Sequence, residues 1–177
     1  MNRYLIVVDM QNDFIDGVLG SEEAKAILEN VCQKIESFEG KIIFTQDTHD
    51  EDYLNSQEGK LLPLIHCIKN SEGWKLQEKL EEIRRAKKLP VYEKTQFASL
   101  ALAKALVKEN ETQKIESIEL IGICTDICVV SNALLLKAFL PETPILVDAS
   151  CCAGVSPASH LHAIETMRSC QIGIKGA

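Results

Sequence analysis

Apolar runs of strand length alternate along this chain with stretches of helical period, and that alternation is the strongest constraint on its fold. The apolar runs lie at 4–9, 41–45, 89–92, 118–123, 144–147 and 172–174. Between them, helical spacing predicts helices over 21–38, 74–86, 99–108, 126–140 and 157–169. In the first of these, Ala24, Ile27, Leu28, Val31, Ile35 and Phe38 recur at threes and fours, with Ser21 placed to cap and Gly40 beyond the end. Repeated strand–helix alternation implies an α/β fold. The expected form is a doubly wound, mostly parallel six-stranded sheet with helices on both faces, a Rossmann-like three-layer sandwich. No repeats, linkers or low-complexity segments interrupt the pattern, so residues 1–177 are expected to form one domain.

Such a sheet binds ligands beyond the carboxyl ends of its strands. Three strand ends here carry reactive groups. The first closes on Asp9, the third on Lys94, and the fourth runs through Ile121-Gly122-Ile123-Cys124-Thr125-Asp126-Ile127-Cys128 into a long apolar helix. Thr125 or Asp126 would cap that helix and leave Cys128 in its first turn, where free N–H groups and the helix dipole favour a thiolate. Taken singly, Lys94 reads as a solvated charge, while Asp9 fits a turn acid as well as a catalyst and Cys128 a core residue as well as a nucleophile. Their joint placement points to covalent chemistry, with a cation to stabilise sulfur and a carboxylate to move its proton.

The second strand ends in Thr45-Gln46-Asp47-Thr48-His49. Residues two apart in an extended segment face the same way, so Asp47 and His49 could grip one ion, with His66 closing the site from across a long loop over 47–73. One carboxylate and two imidazoles suit Zn²⁺, Fe²⁺ or Mn²⁺, and zinc is the first expectation. Asp50, Glu51 and Asp52 read as a solvated acidic face. His160 and His162, two apart on the 157–169 helix, face different sides and read as partly exposed helix histidines.

Composition narrows the partners. The net charge is −7, from 19 basic and 26 acidic residues, which disfavours nucleic acid and anionic membrane. No apolar run could span a bilayer, and the first strand begins with no signal peptide ahead of it. Seven cysteines without a C-x-x-C pair fit a reducing, cytoplasmic setting better than a disulfide framework. Cys32, Cys67, Cys151, Cys152 and Cys170 read as structural. The spacing of Cys124 and Cys128 also argues against a redox pair.

The blocks Val7-Val8-Asp9-Met10-Gln11-Asn12-Asp13-Phe14, the Lys94 segment and Gly122-Ile123-Cys124-Thr125-Asp126-Ile127-Cys128-Val129 resemble the signatures of the isochorismatase-like cysteine hydrolases. Asp47-Thr48-His49 and His66-Cys67 are similar to the metal-binding blocks of the nicotinamidase branch, whereas the isochorismatases proper lack that metal. The resemblance implies Cys128 as nucleophile, Asp9 as general acid/base and Lys94 as the residue that lowers the thiol pKa. It implies a cis peptide between Ile123 and Cys124, an oxyanion hole from the N–H groups of Cys124 and Cys128, and a metal at Asp47, His49 and His66 that holds a pyridine nitrogen. Phe14 would form a wall against the substrate ring.

The implied reaction is hydrolysis of nicotinamide to nicotinate and ammonia through a thioester, in NAD salvage, by a homo-oligomer. Pro63 stands where many nicotinamidases carry an aromatic residue, the 50–61 loop lacks the usual proline and histidine-rich run, and the chain is short for the family, which suggests a small lid. Another small amide or carbamoyl substrate is therefore the alternative reading. A binding protein on an inactivated hydrolase fold would have no need of Asp9, Lys94 and Cys128 together.

Overall fold

The computed structural model describes residues 2–176. Six parallel strands form one sheet: β1 (Arg3–Val8), β2 (Lys41–Asp47), β3 (Val91–Lys94), β4 (Ser117–Ile123), β5 (Ile145–Ala153) and β6 (Gly173–Lys175), in the order β3-β2-β1-β4-β5-β6. The expected doubly wound sheet is therefore present, and it is parallel throughout. The strand order reverses between β1 and β4, which makes the crevice beyond their carboxyl ends the natural ligand site.

The helices cover both faces. Short α1 (Asn12–Ile15), α2 (Glu22–Ala26), α3 (Leu28–Ser37) and α5 (Glu78–Ala86) pack on one side, where Leu5, Val7 and Phe44 meet Val31, Ile35 and Leu80. On the other side α6 (Leu100–Thr112), α7 (Val130–Phe139) and α8 (Pro157–Ser169) set Leu102, Leu106, Ala133, Leu136, Ile164 and Met167 against Ile6, Val8, Ile118 and Leu120. The alternation of β1 side chains between these two cores follows from the twofold period of a strand. The remaining helix, α4 (Gln57–Leu61), lies in the long loop with a 3₁₀ turn at Tyr53–Asn55.

Several elements depart from the sequence reading for tertiary reasons. The first expected helix is two, joined at Ile27; Ser21 does cap the first, accepting the Ala24 N–H. The helix expected from residue 74 starts at Glu78. Residues 74–77 instead cross to the start of α1, where Leu76 bridges Gln11 and the Trp74 carbonyl accepts from the side chains of Gln11 and Gln46. Trp74 does pack on the core, but its indole N–H donates to Thr48 Oγ1 at 2.9 Å, so it is no helix start. β5 runs well past the expected 147, and a register shift against β4 accommodates it. Cys170 is exposed, not part of the core, while Cys32, Cys67, Cys151 and Cys152 are buried.

Candidate active site

Asp9 follows β1 with a positive φ of 48°, which is uncommon outside glycine and best tolerated by Asp and Asn. That turn points a fully buried carboxylate across the sheet end. Thr45 Oγ1 donates to Asp9 Oδ1 at 2.7 Å, and Lys94 Nζ stands 2.7 Å from Oδ2. Lys94 is the last residue of β3 and is only 4% exposed, so the solvated alternative is excluded. The same ammonium reaches Asp47 Oδ1 at 3.1 Å and Cys128 Sγ at 3.6 Å. The sheet thus brings Asp9, Lys94 and Cys128 together, far apart as they are along the chain.

The peptide between Ile123 and Cys124 is cis. Beyond it, Thr125–Val129 forms one π-helical turn that leads into α7. Neither Thr125 nor Asp126 caps this turn, because both side chains are engaged elsewhere. The capping position is Cys124, whose carbonyl accepts the N–H groups of Ile127 and Val129. Cys128 sits in the turn, 5% exposed, as the strand-to-helix junction predicts. Asn132 locks it in place: its Nδ2 donates to the Cys128 and Phe97 carbonyls, and its Oδ1 accepts the Ser99 N–H.

Electrostatics differ from the expected resting thiolate. Burial, and next the adjacent Asp9 carboxylate, push the Cys128 thiol well above its usual value, and Lys94 opposes them without winning. Burial also raises Asp9, partly offset by Lys94. Burial works against the Lys94 charge, yet Asp9, Cys128 and Asp47 together hold it above the ordinary lysine value. Ionisation of the Cys128 thiol is therefore disfavoured beside the Lys94–Asp9 contact. Proton transfer from Cys128 to Asp9 has to accompany attack.

On the other side of Lys94 lies the second expected cluster. Asp47 Oδ2 is 3.0 Å from His49 Nε2 and 3.7 Å from His66 Nε2, and one ligand atom from each of the three residues fits within 4.8 Å of the others. Two observations fit these residues to a metal. His49 Nε2 is buried 3.0 Å from Asp47 Oδ2 without the alignment of a hydrogen bond. His66 Nδ1 lies 2.8 Å from the Leu64 carbonyl, to which it donates, and this turns Nε2 toward the cluster. Gln11, fully buried, clamps the Asp47 backbone, accepting its N–H at 2.7 Å and donating to its carbonyl at 2.8 Å. Asp13 Oδ2 accepts the Cys67 N–H and so pins the segment that carries His66.

Sequence reasoning missed Glu58, Tyr53 and Gln11. Glu58 Oε1 lies 3.8 Å from His49 Nε2 and 3.9 Å from His66 Nε2, close enough to join a shared ion. Its only signal was an acid within a loop rich in acids. Asp50, Glu51 and Asp52 are exposed, as expected. Tyr53 packs its ring against both imidazoles, with centroids 4.6 Å from His49 and 4.9 Å from His66. Phe14 stands 5.7 Å from the His66 ring, beside the cluster. Pro63 is exposed and takes no part. An open cleft of about 830 Å³, lined by His49, Tyr53, Glu58, Phe97 and Ile127 among others, borders the site on its solvent side.

Comparison with known proteins gives the family and the fold. The Isochorismatase domain family matches residues 3–174. A curated Bacillus subtilis (strain 168) relative, described as an uncharacterized isochorismatase family protein PncA, is 30% identical over 175 residues, covering 93% of each chain. The crystal structure of nicotinamidase/pyrazinamidase PncA from Bacillus subtilis superposes with a TM-score of 0.85 at 26% identity, over 99% of this chain and 100% of that one. A Pyrococcus horikoshii pyrazinamidase, solved in complex with zinc, shares the fold with a TM-score of 0.79 at 24% identity, over 98% of both chains. With its signature blocks meeting at one sheet end and a family match along nearly its whole length, the chain belongs to the isochorismatase family.

Proposed function

We propose that this protein is a metal-assisted cysteine amidase that hydrolyses nicotinamide to nicotinate and ammonia. The family and its nicotinamidase neighbours support a hydrolase acting on an amide C–N bond. The observation that carries the finer reading is Lys94, which touches Asp9, Cys128 and Asp47 at once and so joins the reactive trio to the metal-binding cluster.

Asp47, His49 and His66 would hold a divalent metal, with Glu58 beside them; the zinc in the Pyrococcus horikoshii neighbour favours zinc. When bound, the ion supplies a Lewis-acid anchor for an aromatic ring nitrogen. Phe14 and Tyr53 each pack near the His66 ring and would offer aromatic contact to a flat heterocycle held there. The carboxamide is then directed at Cys128. Asp9 takes the thiol proton as sulfur bonds to the carbonyl carbon, and the Cys124 and Cys128 N–H groups receive the developing oxyanion. Asp9 returns the proton to the leaving nitrogen, and ammonia departs from a thioester on Cys128. Asp9 next removes a proton from water, which attacks the thioester; the C–S bond breaks to free the acid, and the proton on Asp9 returns to the Cys128 sulfur. Lys94 stays charged throughout and stabilises the anionic sulfur.

Tyr53, packed on both imidazoles, would supply the aromatic contact left open at Pro63, which favours the pyridine amide over the alternative small amides. All seven cysteines are free, consistent with a reducing cytoplasm, and among the described residues no helix is long and apolar enough to cross a membrane. A homo-oligomer built from one domain completes the reading. Ammonia release measured across nicotinamide, pyrazinamide, benzamide and carbamoyl compounds tests the substrate. Nicotinamide should be preferred over benzamide, which lacks the ring nitrogen, and an equal rate on both would reject the metal–pyridine reading.

A further inference from the structure

The π-helical turn that carries Cys128 is braced by an element with no assigned part in the chemistry. Thr125, its first residue, is fully buried, and Thr125 Oγ1 lies 2.8 Å from His160 Nδ1 on α8. The neighbouring Asp126 Oδ1 accepts the Val155 N–H at 3.0 Å. Gly154 leaves no space for a side chain: a Cβ there would lie 2.9 Å from both Asp126 Oδ1 and the His160 backbone nitrogen. Ser156 caps α8 through the Ser159 N–H, and the His160 N–H bonds the Ser156 carbonyl, so His160 is held at a firmly anchored helix start. His160 is half-buried, unlike the exposed His162. Burial keeps its imidazole below the ordinary histidine range, against the pull of Asp126.

Thr125 stands directly after Cys124, whose carbonyl closes the turn onto Ile127 and Val129. A threonine hydroxyl in a helical turn ordinarily bonds a nearby backbone carbonyl and bends the turn. The contact with His160 takes that hydroxyl out of competition. It also ties the first residue of the turn that leads to Cys128 to α8. We infer that His160 is a positioning residue for hydrolysis: through Thr125 it sets the turn that aims Cys128 and the two N–H groups at the substrate carbonyl. This inference rests on the cysteine amidase reading.

The test compares the wild type with His160→Ala, His160→Asn, Thr125→Val and the Thr125→Val/His160→Ala double variant. It reads kcat and KM for nicotinamide, affinity for the matching pyridine aldehyde, and thermal stability. Misplacement of the turn should lower kcat in His160→Ala by about tenfold to a hundredfold while KM changes by less than about threefold. Affinity for the aldehyde, whose adduct with Cys128 mimics the tetrahedral state, should fall in parallel. Asparagine carries both a donor and an acceptor near the Nδ1 position, so His160→Asn should recover most of kcat. The double variant should be no worse than the poorer single variant, because both remove one contact. A wild-type kcat in folded His160→Ala, an equal loss in His160→Asn, or losses that multiply in the double variant would overturn the assignment while leaving the amidase reading intact. A wild type that releases no ammonia from any amide would overturn both.

Discussion

Lys94 Nζ lies 3.1 Å from Asp47 Oδ1, so a single buried ammonium ties the metal-binding cluster to the acid and thiol on its other side. Both partners sit at the ends of adjacent parallel strands, paired in register as Asp47↔Lys94. The sheet itself sets their contact.

Lys94→Met should therefore damage the fold as well as the chemistry. It leaves the carboxylates of Asp9 and Asp47 buried without their counter-ion, at a cost of about 3 kcal/mol or more. Urea denaturation of the variant against the wild type measures this, and an unchanged midpoint would show that the ammonium balances nothing.

Metal content tests the other half of the site. Asp47→Ala or His66→Ala should lose about a hundredfold or more in affinity for Zn²⁺, and Glu58→Gln about tenfold, in keeping with its longer distances. Metal analysis after dialysis and titration with Zn²⁺ read both effects. A normal metal content in Asp47→Ala would remove the cluster from the account, and no change in Glu58→Gln would remove Glu58 alone.

Gly122 on β4 pairs with Val8 on β1, next to Asp9. Its φ of +116° is open to glycine, and a Cβ would lie 2.1 Å from the Val8 carbonyl oxygen. Gly122→Ala should destabilise the protein by about 3 kcal/mol or more, combining backbone strain with a clash against the backbone. Thermal unfolding decides, and a wild-type melting temperature would mean the strands can part locally.

How much of this was legible in the sequence depended on how local the signal was. The strands announced themselves as apolar runs, and Asp9, Lys94 and Cys128 could be placed because each closes or follows one. Asp47 and His49 were readable from their spacing. The start of α5 was not, because the bridge between Gln11 and Leu76 that displaces it joins distant segments. The same holds for Gln11, whose role is to clamp Asp47, and for Tyr53, which meets both histidines only after the loop folds back. The resting thiolate was misjudged because a helix start was weighed without the burial and the Asp9 charge around Cys128. The two side chains expected to cap that turn instead face α8 and the segment leading into it.

Acid stability follows from a separate cluster behind the sheet, where Lys34 Nζ meets Asp148 Oδ2 at 2.7 Å and also contacts Glu119. Burial opposes the Asp148 charge, but Lys34 and Ser150 hold its pKa below the usual carboxylate value. A carboxylate depressed on folding stabilises the native state above its unfolded pKa of about 3.9, and that contribution is lost as pH falls through the folded value. Wild type should thus lose this increment below about pH 4, whereas Asp148→Asn should lack it at neutral pH and show a flatter acid limb. Denaturation midpoints between pH 3 and 7, on the order of five points, would show it; parallel curves would contradict the sign.

The most direct measurement is ammonia release from nicotinamide by metal-loaded wild type and by Cys128→Ala of matched fold. The account predicts turnover in the wild type and a fall of about a thousandfold or more in the variant, since the acyl intermediate forms on the Cys128 sulfur. Turnover by Cys128→Ala at the wild-type rate would contradict it.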